Sequence, residues 1–169
     1  MDVFAHGLWT NAAFFKKYKN EKRDRFLAIF FGLLPDIISF APSTIVLLFT
    51  RQNFYGMMAE LGRAPAVFRY AVESYNYTHS IVIFLAVFLI VTAIRKGQVF
   101  WPMLGWALHI FIDLFTHKNF FETPILFPIS GYRFSDGISW ANPKFMLINY
   151  SALAIVYLVW FLVLRKKKV

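Results

Sequence analysis

The chain has 169 residues, 59% of them apolar and 16% charged, with 18 Lys and Arg against 9 Asp and Glu for a net charge of +9. The eight Tyr and eight Gly offset each other in that count, so it compares directly with the roughly 45–50% apolar and 25% charged residues of soluble domains. With a mean hydropathy of +0.53, this composition excludes disorder, collagen and coiled coil and leaves a single membrane-embedded domain over residues 1–169, too short for a second unit with its own core.

Five apolar stretches follow in chain order: Met1 to Phe15, Phe26 to Thr50, Ser74 to Ile94, Gly97 to Thr116, and Phe145 to Leu164. The expected fold is all-α, a polytopic helical bundle of about five transmembrane helices. The last stretch has no charge, and at 1.5 Å per residue its twenty residues cross about 30 Å of hydrocarbon. The second and fourth each carry one carboxylate, Asp36 or Asp113, and Pro35 and Pro42 should bend the second.

The first stretch covers only about 22 Å as a helix. Two readings stay open for it: a tilted or partial span, or an interfacial helix on the cytoplasmic face beside four spans. A cleaved signal peptide would need a basic segment before it and a small-residue cleavage site, and the basic run comes after it instead.

Charge fixes the expected orientation. Residues 16–25 hold six basic and two acidic side chains, Arg95-Lys96 adds two basic and Arg165 to Lys168 four, so one face nets +10 and the other +1. Five spans with the N-terminus outside and the C-terminus in the cytoplasm satisfy the positive-inside rule at every loop. The basic tail then reads as a cytoplasmic anchor on anionic lipid, and Trp9, Trp101 and Trp140 suit interfacial belts. The basic residues do not gather on one soluble face, so nucleic acid is not an expected partner.

Between the spans, residues 51–73 place Phe54, Met57, Met58 and Leu61 at helical spacing, which predicts a short surface helix. Lys118 to Lys144 carries Thr123-Pro124, Phe127-Pro128, Ser130-Gly131, Asp136-Gly137 and Asn142-Pro143, turn chemistry without a period. A loop this long is expected to cover a site.

The chemistry lies in polar residues at apolar positions. An aspartate at mid-bilayer costs roughly 2.5–3.5 kcal/mol, so Asp36 and Asp113 must meet a compensating group. No embedded Lys or Arg is at hand, and the chain has no Cys. That leaves histidine, a proton or a metal ion. His109, Asp113 and His117 recur every four residues and share one helix face. His109 and Asp113 can ligate one ion, while His117, about 12 Å along the axis from His109, reaches only a second ion or the mouth of the site. Under the five-span topology His6, Asp36 and His79 come to the same outer level. The expected metal ligands are therefore His6, Asp36, His79, His109, Asp113 and His117. Nitrogen and oxygen donors suit zinc, with manganese as the alternative, as one or two ions.

The ordered set His6-Gly7, Leu34-Pro35-Asp36, Thr78-His79-Ser80, His109-x-x-x-Asp113, Thr116-His117 and Thr123-Pro124…Phe127-Pro128-Ile129-Ser130 resembles the bacterial membrane-bound metal-dependent hydrolase family. The likeness runs from His6 to about Trp140 and implies an inner-membrane hydrolase. The ligand order is also similar to that of secreted zinc-dependent phospholipase C. That likeness implies one zinc on Asp36, His79, His109 and Asp113, with His6 and Asp113 contributing to a neighbouring ion and Asp36 as the base that orients water. The phospholipase uses a free N-terminal tryptophan as a ligand where this chain has Met1, and its remaining ligands have no match beyond His117.

The expected activity is therefore metal-dependent hydrolysis of a phosphoester, with Asp36 and Asp113 catalytic and a phospholipid as first substrate. Arg69 and Arg133 are the candidates for holding a phosphate, against a plainer role as interfacial arginines reaching for the membrane surface. Two other classes stay open: a haem-binding electron-transfer protein, which leaves the aspartates without a role, and a metal or proton transporter using the same carboxylates. Oligomeric state is not legible in the sequence.

Overall fold

The structure, a computed structural model of the chain, describes residues 1–50, 66–118 and 121–166. The described residues are all-helical, with six α-helices and one 3₁₀ turn: α1 (Val3–Phe14), α2 (Lys22–Thr50), α3 (Ala66–Thr78), α4 (Ile81–Ile94), the 3₁₀ turn Trp101–Met103, α5 (Leu104–Thr116) and α6 (Pro143–Lys166). The surface helix expected around Phe54 to Leu61 and the end of the basic tail, Lys167 and Lys168, lie outside the described residues.

Local chemistry sets the boundaries. Asp2 caps α1, its carboxylate accepting the Ala5 N–H at 3.0 Å. Ser80 caps α4 by accepting from Val82 and Ile83 at 3.1 and 3.3 Å. Pro35 and Pro42 both lie inside α2, which at 29 residues is the longest helix. Each removes one intrahelical donor, opposite the carbonyls of Phe31 and Ile38.

Among the described residues, two helices are long and apolar enough to cross a membrane, over Lys22–Phe49 and Pro143–Val163. A third crossing exists if α3 and α4 count as one broken span, for they meet at 65°. The expected continuous Ser74–Ile94 span is thus corrected: α3 ends at Thr78, and Ser80 starts a new helix in another direction. The expected Gly97–Thr116 span shortens likewise. Only the 13 residues of α5 are α-helical, about 20 Å, and α1 reaches about 18 Å. Neither matches a 30 Å hydrocarbon core by length alone.

Packing is organised around α2, which contacts α1, α3 and α5. Two glycines allow the close crossings. A Cβ on Gly105 would sit 2.1 Å from the Ala28 carbonyl oxygen, and one on Gly32 would sit 2.3 Å from Thr10 Oγ1. Helix α6 runs alongside α1 in the same direction: Trp9 Nε1 donates to Asn149 Oδ1 at 2.8 Å, Asn11 Nδ2 to the Tyr157 hydroxyl at 2.7 Å, and Phe15 stacks on Trp160. Trp9, expected in an interfacial belt, is therefore occupied by a helix–helix contact.

The long loop after α5 is irregular, as its turn residues predict, with an isolated bridge between Thr123 and Phe134. Its backbone ties down the helix ends: Ile81 donates to Ile125, and Ile138 and Trp140 donate to the Phe115 and Thr116 carbonyls. The Ser80 hydroxyl donates to the Phe127 carbonyl. These bonds satisfy groups that a helix end leaves open. They also draw the α3–α4 break and the end of α5 together under one cover.

Polar side chains are buried beside the apolar core, and many large apolar ones are exposed. His6, Thr10, Ser39, His79, His109 and Asp113 are fully buried, while Leu48, Phe49, Leu147 and Ile148 stand in the open at 68–85% exposure. Water would penalise that distribution and a lipid solvent favours it, which with the two long apolar helices is compatible with a membrane protein.

Gly105→Val should drive α5 off α2, because the obstructing atom is backbone and cannot rotate away. A loss of about 2 kcal/mol or more is expected in thermal unfolding in detergent. Gly131→Ala, with nothing within 4 Å of the new methyl, should be near-neutral in the same assay.

Candidate metal centre

Three helices and one break deliver the buried polar residues. His6 comes from the second turn of α1, Asp36 follows Pro35 in α2, and His79 stands in the α3–α4 break. His109 and Asp113 lie one turn apart on α5, and His117 caps that helix in an extended conformation. All six are at most 4% exposed. The structure brings every expected ligand to one place.

They form two groups that share Asp113. In the inner group, Asp36, His79, His109 and Asp113 each offer one ligand atom, all within 4.8 Å of one another. His109 Nε2 lies 3.0 Å from His79 Nε2, 3.1 Å from Asp113 Oδ2 and 3.7 Å from Asp36 Oδ1. His79 Nε2 lies 3.3 Å from Asp113 Oδ2 and 3.5 Å from Asp36 Oδ1. Tetrahedral bonds of about 2.0–2.1 Å place their ligand atoms about 3.3–3.4 Å apart, so these separations suit a small divalent ion. In the outer group, Asp113 Oδ1 meets His6 Nε2 at 2.9 Å and His117 Nε2 at 3.2 Å. The Met1 amine also meets Asp113 Oδ1 and lies 2.7 Å from His117 Nε2.

Outer hydrogen bonds decide which ring nitrogens carry protons. His109 Nδ1 lies 2.7 Å from the Gly32 carbonyl, which can only accept, so Nδ1 holds the proton and Nε2 keeps its lone pair. His117 Nδ1 donates in the same way to the Phe121 carbonyl at 3.0 Å. For His79 the argument has one more link. Thr78 Oγ1 lies 3.1 Å from the Ser74 carbonyl, 2.8 Å from Ser39 Oγ and 2.9 Å from His79 Nδ1; with its proton on the carbonyl it accepts from both Ser39 and His79 Nδ1.

With both imidazoles neutral, the Nε2 lone pairs of His79 and His109, 3.0 Å apart, face each other and two carboxylates, and the inner group has no donor of its own. Asp36 Oδ2, Asp113 Oδ2 and His6 Nδ1 have no hydrogen-bond partner among the described residues. Acceptors gathered out of water repel one another until a cation joins them. A proton on an imidazole answers one pair of atoms. A divalent ion answers all four at once, so the inner group could hold one.

Several contributors carry no motif. Tyr75 stacks on His79 at 3.7 Å between ring centres and donates its hydroxyl to the Phe121 carbonyl at 2.8 Å, leaving the oxygen 3.2 Å from His117 Nδ1. The Tyr75-x-x-x-His79 spacing was a usable signal. The Gly32 and Phe121 carbonyls were not, since every residue has one. His117 reaches Asp113 because the helix stops at Thr116 and the chain turns.

A cavity of about 260 Å³ leads to the centre, with Asp36, His117 and Met1 among its polar lining and Phe40, Leu47 and Trp140 among its apolar walls. Arg133 is engaged beside it, donating to the Glu122 carbonyl at 3.1 Å and to Asn76 Oδ1 at 2.6 Å, which straps the loop to α3. Arg69 is exposed on α3, and no described hydrogen bond or ion pair joins it to the centre.

No protein-family model, curated protein or solved structure matches the chain, so the reading of this centre rests on its own geometry.

Proposed function

We propose that the chain is a membrane-embedded, metal-dependent hydrolase of a phosphoester. The observation that carries the reading is the inner group: the Nε2 atoms of two imidazoles and two carboxylates, buried, with contacts of 3.0–3.7 Å. Zinc suits this donor set best, with manganese as the alternative. His6, His117 and the Met1 amine, gathered on the other oxygen of Asp113, suit a second ion with the amine in its neutral form. The ordered resemblance to membrane-bound metal-dependent hydrolases points the same way.

When bound, a divalent ion supplies a Lewis acid and lowers the pKa of its water toward about 7. The side chains divide the remaining work. Asp113 joins the two histidine pairs through its two oxygens and fixes their spacing. Asp36 lines the cavity with Oδ2 unpaired, so it is placed to accept a proton from an entering water. The walls at Phe40, Leu47 and Trp140 exclude bulk water and admit an apolar substrate body, for which a phospholipid is the proposed class. Arg133 positions the covering loop, and Arg69 or Arg133 holding a phosphate belongs to the proposal as well.

The proposed setting is a bacterial inner membrane, with the N-terminus outside, the C-terminus cytoplasmic and up to five passes. A haem reading gains nothing from the geometry. Two axial imidazoles must stand on opposite sides of a porphyrin, and here they touch each other and two carboxylates.

Purified protein, handled without chelators, should carry at least one zinc or manganese per chain by elemental analysis. His109→Ala and Asp113→Ala should fall below a tenth of that, and metal-free wild type would defeat the proposal. In turnover of a short-chain phosphodiester lipid, Asp36→Asn should lower the rate about 10²-fold or more. Metal flux into proteoliposomes without ester turnover would instead assign the centre to transport.

A further inference from the structure

A second cavity, of about 570 Å³, lies on the other side of α1, between it and helices α5 and α6. It shares Met1 with the first cavity and none of the six His and Asp of the metal centre. Its α6 wall is Asn149, Val156 and Trp160, spaced seven and four residues and so on one face along about 16 Å of helix. Its α1 wall is Trp9, Ala12 and Ala13, two of which have almost no side chain to fill the space.

Asn149 is the chemical feature of this cavity. It is 7% exposed, and its side-chain nitrogen has no acceptor among the described residues. The amide cannot be turned round to cure this. Trp9 Nε1 is donor-only and bonds Asn149 Oδ1 at 2.8 Å, which fixes the oxygen there and leaves both amide hydrogens unsatisfied. A buried donor without a partner costs about as much as a lost hydrogen bond, and more in hydrocarbon.

We infer that this cavity binds one chain of a diacyl lipid, with the ester carbonyl accepting from Asn149 Nδ2 and the acyl chain running along α6 toward Trp160. Depth supports the match. Asn149 lies six residues, about 9 Å, inside the start of α6, beneath the surface where glycerol esters sit, and the cavity continues from there toward the middle of the helix. Polarity supports it too. A helix of a second copy has its backbone carbonyls already bonded internally and offers no free backbone acceptor, whereas an ester carbonyl does. The occupant is structural rather than a substrate, so the inference depends on the membrane setting and not on the hydrolase reading.

The test is native mass spectrometry of the full chain released from detergent, titrated with a diacyl phosphatidylethanolamine and with its dialkyl ether analogue, which lacks the carbonyls. Wild type should bind one diacyl lipid about tenfold more tightly than the ether lipid. Trp9→Phe/Asn149→Leu removes donor and partner together and should bind both lipids equally. Ala12→Phe, which fills the cavity, should bind neither. Unchanged metal content and unfolding temperature in each variant show that the fold is intact. Equal affinity of wild type for the two lipids, an undiminished ester preference in the double variant, or a protein dimer in place of bound lipid would overturn the inference. Loss of hydrolysis with lipid binding intact would count against the proposed activity alone.

Discussion

The structure depends on how two aspartates can be kept out of water without a lysine or arginine beside them. Asp113 is fully buried and Asp36 nearly so, and what surrounds them is imidazole nitrogen, joined at Asp113 Oδ1 by the Met1 amine. That arrangement is unfavourable by itself and becomes favourable around a cation. The architecture reads as the means of assembling it. Helix α2 passes through the middle and carries Asp36, α1 and α5 cross it closely at Gly32 and Gly105, and the α3–α4 break places His79 where a continuous helix could not.

The surrounding backbone is part of the centre. The carbonyl of Gly32 orients His109 of α5 while its missing side chain makes room for Thr10 of α1, so one residue serves packing and chemistry together. The Phe121 carbonyl, at the start of the long loop, orients His117 and takes the Tyr75 hydroxyl. The loop therefore covers the site and also sets the tautomer of one of its histidines. Moving the loop would change the ring as well as the access.

Much of this was legible in the sequence, for reasons that can be named. Hydropathy finds α2 and α6 because each is apolar over a full membrane thickness. The one-turn spacing finds His109 and Asp113, and the scarcity of embedded cations marks the aspartates as sites. Windows of hydropathy pass straight over the His79-Ser80 break, because the residues on either side of it are equally apolar. They also overextend α5 back to Gly97, where the chain is irregular before a 3₁₀ turn. The contribution of His117 depends on where a helix stops and of His6 on how α1 lies against α5, and neither is encoded in spacing. The second cavity was invisible, since it arises from Asn149 meeting Trp9 across 140 positions of chain.

The account stands or falls on what joins the inner group, and X-ray absorption at the metal edge of the purified protein addresses it directly. The prediction is a zinc or manganese edge with nitrogen and oxygen neighbours at about 2.0–2.2 Å and the outer-shell scattering of at least two imidazoles. A metal surrounded only by light scatterers without imidazole features, or no edge at all, would mean that protons and not an ion hold these side chains together.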